Sequence, residues 1–230
     1  VTPDMDVDAV LAEANKVDYD RIGERMHAEM VYVECTGDAD AFVEAVKKVA
    51  GKGKTLVLTC KNADAIKKAL DVCKDEKPII NSADASNYAE MVEIAKAAGV
   101  VLGVSGADIN ELYDTTAAIE KLGFKDLVLD TTGATIKETF ATTVQVRRAC
   151  LAKDPDRTFG YPSIVNLSKV APDDEALQIA LASVFILKYG SIIVMDTMNY
   201  ARGLALFGLR QNVYTDPQKP MKVEPGIYPI

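Results

Sequence analysis

The sequence predicts an α/β fold, a closed (β/α)8 barrel of the TIM type with one or two extra helices ahead of it. Three observations carry this expectation. Seven short runs dense in Val, Ile and Leu recur along the 230 residues; they are nearly continuous instead of alternating, which suits strands buried on both faces of a parallel sheet. Segments with helical spacing lie between them, so strand and helix alternate as in right-handed parallel crossovers. The length is close to the ~250 residues usual for such a barrel. An open doubly wound sheet is the competing architecture, and the strand count favours closure.

Taken in order, residues 1–29 come first. Val10, Leu11 and Ala14, and later Ile22 and Met26, read as one or two helices standing where the eighth outer helix is missing. His27, in "ERMHAEM", reads as a partly exposed residue of that helical segment. The barrel proper is expected over residues 30–230 as a single domain with no linker. Its first strands are "MVYVE" (Met30 to Glu34), "TLVLT" (Thr55 to Thr59), "PIIN" (Pro78 to Asn81) and "VVLGV" (Val100 to Val104). "DLVLD" (Asp126 to Asp130), "GYPSIVN" (Gly160 to Asn166) and "SIIVMD" (Ser191 to Asp196) follow.

The intervening segments carry helix punctuation. Tyr88, Met91, Val92 and Ala95 share one helical face, as do Ile109, Leu112, Tyr113 and Thr116. Asp84, Asp108 and Asp173 stand near helix starts, where a carboxylate accepts orphan amide protons and opposes the positive end of the dipole. Gly99 and Gly123 sit where helices should stop, and Pro172 suits a first helical turn. Near the end, "LRQNVYTDPQKPMKVEPG" takes a helix into a proline-bearing turn, and Met221 to Glu224 is expected to insert as the eighth stave beside the first.

Charge and composition narrow the function. A net charge of -8 speaks against a nucleic-acid partner, since phosphate binding needs a basic face. No apolar run approaches the ~18 residues that cross a bilayer, and no secretory leader is visible, so the expectation is a cytoplasmic protein with no membrane partner. Cys35, Cys60, Cys73 and Cys150 are far apart in sequence, and metal clusters usually draw several thiolates from one tight loop. They read as free thiols, and no metal site is expected.

In such barrels the working face lies at the carboxyl ends of the strands. The residues there are Cys35, Thr36, Cys60, Asn62, Asn81, Ser82, Ser105, Asp130, Thr131, Thr132, Asn166, Asp196, Thr197 and Asn199. This ring is rich in amides and hydroxyls, carries two carboxylates, and lacks the Lys or His of a Schiff-base aldolase or metal hydrolase. It suits hydrogen bonding to a neutral heterocycle or to the edge of a large cofactor, while each Ser, Thr or Asp has capping as its ordinary role. Asn81, Ser105, Asp130, Thr131, Thr132, Asn166 and Asp196 are the candidates to face a substrate or large cofactor; no residue is assigned catalysis. In "DTTG" (Asp130 to Gly133) the amides of a helix start either bind an anion or are capped. "GKGK" (Gly51 to Lys54) precedes a strand and reads as a turn instead of a phosphate loop. Arg147, Arg148 and Lys153 suit a helix end.

The segment "LRQNVYTDPQKPMKVEPGIY" resembles the one that ends the barrel of the large, or gamma, subunit of the corrinoid iron–sulfur protein of the carbon monoxide dehydrogenase/acetyl-CoA synthase system. "ANKVDYDRIGERM", "KPIINSADASNYAEM", "LGFKDLVLDTTG", "VQVRRACL", "FGYPSIV" and "LKYGSIIVMD" resemble that family in the same order. The resemblance implies a subunit with a [4Fe-4S] domain before the barrel and a corrinoid (cobalamin) domain after it, so this chain is expected to be the central domain and to bind neither cofactor itself. It implies a methyl carrier whose cobalt takes a methyl group from a methyltetrahydropterin and passes it to acetyl-CoA synthase. The implied partners are the small (delta) subunit, acetyl-CoA synthase and the methyltetrahydropterin methyltransferase. The alternative is a barrel that is itself a pterin-binding corrinoid methyltransferase, with Asn81, Asp130 and Asn166 holding the pterin.

Overall fold

The computed structural model describes residues 1–155 and 157–214. Helix α1 (Val7–Asn15) opens the chain, capped by Asp6, whose carboxylate accepts from the Ala9 amide. The expected second helix does not follow. Strands β1 (Asp18–Arg21) and β2 (Glu24–His27) pair antiparallel instead, around a turn in which Ile22 and Gly23 both take positive φ, 51° and 77°. Two left-handed residues make the tight turn whose twist matches a hairpin, and Ile22 is 70% exposed there, serving no helix face. His27 is therefore a strand residue, its Nδ1 beside the Ala28 carbonyl oxygen.

The seven sequence-read strands form one sheet: β3 (Met30–Glu34), β4 (Thr55–Thr59), β5 (Ile79–Ala83), β6 (Val101–Val104), β7 (Leu127–Asp130), β8 (Ser163–Asn166) and β9 (Ile192–Val194). They run in chain order, and every neighbouring pair is parallel. The sheet curls into a nearly closed α/β barrel. Outside it lie α2 (Ala39–Val49), α3 (Ala63–Cys73), α4 (Tyr88–Ala98), α5 (Ile109–Lys121), α6 (Ile136–Cys150), the short α7 (Leu167–Val170), α8 (Glu175–Val184) and α9 (Tyr200–Tyr214). The expected eighth stave, Met221 to Glu224, lies outside the described residues. The edge of β3 turned away from β4 meets Val1, whose amino group donates to the Tyr32 carbonyl at 2.7 Å while the Glu34 amide donates to the Val1 carbonyl at 2.9 Å.

Strand parity divides the core into two shells. Val31, Val33, Leu56, Leu58, Ile80, Leu102 and Leu129 point outward to helix residues such as Phe42, Ile66, Met91 and Ile119. Val57, Ile79, Val128, Ile164 and Val194 fill the barrel interior with Tyr32, Val101 and Ile192. This explains the continuous apolar runs: each strand must satisfy both shells, and each fully buried side chain contributes roughly 1.5–3 kcal/mol.

Punctuation mostly follows the sequence. Asp108 caps α5, Gly99 ends α4 with φ 63°, and Gly51 and Gly53 make the "GKGK" turn with φ 75° and 72°. At α8 the cap is Asp174, which accepts from the Leu177 amide, one residue beyond the expected Asp173.

Candidate functional site

Register fixes which side chains reach the mouth. Tyr32 pairs with Val57, Glu34 with Thr59, Asn81 with Gly103, Asp130 with Ile164, and Asn166 with Val194. Because residues two apart share a face, Glu34, Thr59, Asn81, Gly103, Asp130 and Asn166 stand one level above the apolar interior. Asp196 holds the equivalent place just past β9.

Three of these groups, Asn81, Asp130 and Asn166, join with Thr132 in one network. Asn81 Nδ2 donates to Asp130 Oδ2 at 2.7 Å, and the Thr132 amide donates to Asp130 Oδ1 at 3.0 Å. The Asn166 amide donates to Thr132 Oγ1 at 2.8 Å. Asn166 Oδ1 accepts from Ser168 Oγ at 2.6 Å and from the Lys169 amide at 3.2 Å. A charged acceptor flanked by two amides is thereby held across β5, β7 and β8. Gly103 clears the space: a Cβ there would lie 2.8 Å from Asn81 Cα and press on the Asn81 side chain. Below, burial raises the Tyr32 phenol above its usual range, and the carboxylates of Asp130 and Glu34 push the same way. It stays a neutral donor.

The other candidates are engaged elsewhere. Thr131 is buried, its hydroxyl 2.8 Å from Thr143 Oγ1 and donating to the Ile164 carbonyl at 3.3 Å. Ser105 Oγ donates to the Ala83 carbonyl, 3.3 Å away. Asp196 accepts from the Asp173 amide at 3.2 Å and from the Gln178 side chain, while its own amide donates to Gln178 Oε1 at 3.2 Å. It thus secures the α7–α8 connection. Asn62 and Asn199 cap α3 and α9.

The "DTTG" amides are not free for an anion. Gly133 donates to Thr139 Oγ1 at 2.9 Å, and Ala134 and Thr135 donate to Glu138 Oε2 at 3.0 and 3.1 Å. A complete capping box closes that helix start. Of the two readings of this motif, capping is the one present.

Sequence reasoning missed Tyr32, Glu34, Thr59 and Gly103 because it searched after each strand, whereas parity places these side chains within it. It also placed no lysine at the rim. Lys61 pairs with Asp84; burial and the nearby Lys169 lower its pKa, against the pull of Glu111 and Asp130.

The described cysteines do not fit an iron–sulfur cluster. Cys73 is buried in α3 with its thiol donating to the Ala69 carbonyl at 3.2 Å, and Cys150 ends α6 with its thiol donating to the Arg147 carbonyl at 3.3 Å. No group of three or more His, Cys, Asp or Glu that could hold a metal is found among the described residues. Nor is any helix among them long and apolar enough to cross a membrane.

Fold and mouth define a parallel α/β barrel with a polar, hydrogen-bonding rim, the shape of the dihydropteroate synthases. The enzyme of Vibrio fischeri aligns with a TM-score of 0.64 at 16% identity, covering 96% of this chain and 92% of that one. That of Thermus thermophilus in complex with 4-aminobenzoate gives 0.61 at 16%, covering 93% and 90%. At these identities the likeness is one of fold. The chain belongs to the family described as CO dehydrogenase/acetyl-CoA synthase delta subunit, which it matches over residues 2–230. Two curated relatives carry the name of the large, or gamma, subunit instead. The corrinoid/iron-sulfur protein large subunit of Moorella thermoacetica is 36% identical over 91% of this chain and 47% of its own length. The acetyl-CoA decarbonylase/synthase complex subunit gamma of Archaeoglobus fulgidus is 32% identical over 86% of this chain and 44% of its own. The chain spans about half the length of these relatives.

Proposed function

We propose that this barrel is the central platform of a corrinoid iron–sulfur methyl carrier, which moves a methyl group between a methyltetrahydropterin and acetyl-CoA synthase. The corrinoid supplies the methyl-accepting metal; this chain supplies the surface that receives it. The observation that carries the reading is the Asn81–Asp130–Thr132–Asn166 network above the apolar barrel interior, kept open by Gly103. Corrin rings carry amide side chains, and a carboxylate between two amides offers acceptors and donors to such a neutral partner. A rigid barrel holding that face lets a mobile corrinoid module visit several partners in turn. The partners we assign are the small (delta) subunit, acetyl-CoA synthase and the methyltetrahydropterin methyltransferase.

One observation favours a second reading, a barrel that binds the pterin itself. Asp130 is a half-buried carboxylate at the barrel mouth, and a pterin's 2-amino and ring N–H groups are natural donors to such a group. Calorimetry with methyltetrahydrofolate and methyltetrahydrosarcinapterin separates the two. The platform predicts no saturable heat, whereas micromolar binding that is lost in Asp130→Ala establishes the pterin site. Pull-down with the small subunit tests the platform directly, and failure to associate would overturn it.

A further inference from the structure

Two of the thiols that lie far apart in sequence are neighbours at the rim. The β3–β4 register aligns Glu34 with Thr59, and the ladder continues one step as the Cys35 amide donates to the Thr59 carbonyl at 2.9 Å. Cys35 therefore stands beside Cys60 on the next strand, both on the outward face opposite Glu34 and Thr59. Neighbouring strands lie about 4.8 Å apart, inside the ~4.4–6.8 Å window of Cα separations that a disulfide spans.

The two thiols differ in access. Cys60 is buried and Cys35 half-exposed. Burial first, and then a hydrogen bond to the Cys35 thiol, push the Cys60 thiol up to about 11. Among the described residues, the Cys35 thiol also donates to the Asp38 carbonyl at 3.8 Å, in the loop that leads into α2. Neither thiol has a part in the Asn81–Asp130–Asn166 network.

We propose that Cys35 and Cys60 form a reversible intramolecular disulfide, a redox modification site that ties the carboxyl ends of β3 and β4 together. The oxidant is a small-molecule disulfide. The Cys35 thiolate attacks one of its sulfurs, the S–S bond breaks, and one thiolate leaves and takes up a proton. Cys60 then loses its proton to solvent and attacks Cys35 Sγ, expelling the second thiolate, which is protonated in turn. Two protein thiols are oxidised by two electrons, and one small disulfide is reduced to two thiols. The link fixes the Cys35–Asp38 loop against the rim one residue beyond Glu34 and Thr59.

Treatment of the folded chain with oxidised glutathione, followed by alkylation and tryptic mass mapping, tests this. Lys47, Lys48, Lys52 and Lys54 separate the two cysteines into different peptides. The expected result is a linked Cys35–Cys60 peptide pair lighter by two hydrogens and released by dithiothreitol. Cys60→Ser should instead trap glutathione on Cys35, and Cys35→Ser should abolish the link. The wild-type map is decisive even if a variant folds poorly. A wild-type chain that stops at glutathionylated Cys35, or that links through Cys73 or Cys150, overturns the proposal.

Discussion

An alanine at position 103 would set a methyl group 2.8 Å from the Asn81 backbone, where real side-chain carbons do not go. Gly103→Ala should therefore cost about 1–3 kcal/mol by overpacking and should displace Asn81 from Asp130, read as a lower urea midpoint at unchanged slope. A midpoint equal to wild type would show that the mouth is looser than its geometry. Nothing in the sequence marks this glycine: it sits inside "VVLGV", and its task depends on pairing with Asn81. Asn81, Asp130 and Asn166 were legible because each is the first polar residue after an apolar run. Cys73 gives a pH-dependent prediction. Burial pushes its thiol up to about 11 from an ordinary 9.0, so the folded state favours the protonated form. That stability is fully present below about pH 9 and is lost as pH rises toward 11. Denaturation between about pH 8 and about pH 10.5 should show a steeper decline in wild type than in Cys73→Ala, by roughly 1–2 kcal/mol. Parallel declines would refute it.

Most of the described helices begin on side-chain caps, α4 being an exception, and α6 has the most complete one. Thr135 Oγ1 accepts from the Glu138 amide at 3.2 Å while Glu138 reaches back to the Thr135 amide. Thr135→Ala should cost about 1 kcal/mol, measurable as a lower melting temperature that Thr135→Ser restores. Ser failing to rescue would assign the loss to the methyl group instead. Strands were readable as elements because burial on two faces leaves little room for polar residues. The hairpin was not. Four-residue strands are too short to show a period, and Ile22 with Met26 imitates a helical spacing of four. Gly23 was the available signal, and it speaks only when paired with a left-handed neighbour.

At the scale of the molecule, order is unevenly distributed. All five residues of β5 are buried, whereas two of the three in β9 are only half-buried. Amide hydrogen exchange should therefore be slower in β5 than in β9, and equal protection would mean that β9 is covered as deeply as the centre. Alternation and length made the barrel legible, but no local signal reports a contact spanning most of the chain. The hairpin makes several. Arg21 pairs with Gln211 and donates to Asn212 at 3.0 Å, and Tyr19 donates to the Gly203 carbonyl at 3.3 Å; just past the hairpin, Glu29 accepts from Arg210 at 3.1 Å. Arg21 and Gln211 are 190 residues apart. At a ribosome adding about 5–20 residues each second, the hairpin waits roughly ten to forty seconds for its helix to be made. Until then its underside, Met26 included, has nothing from α9 to lean on, so during translation this fastening is among the last to engage.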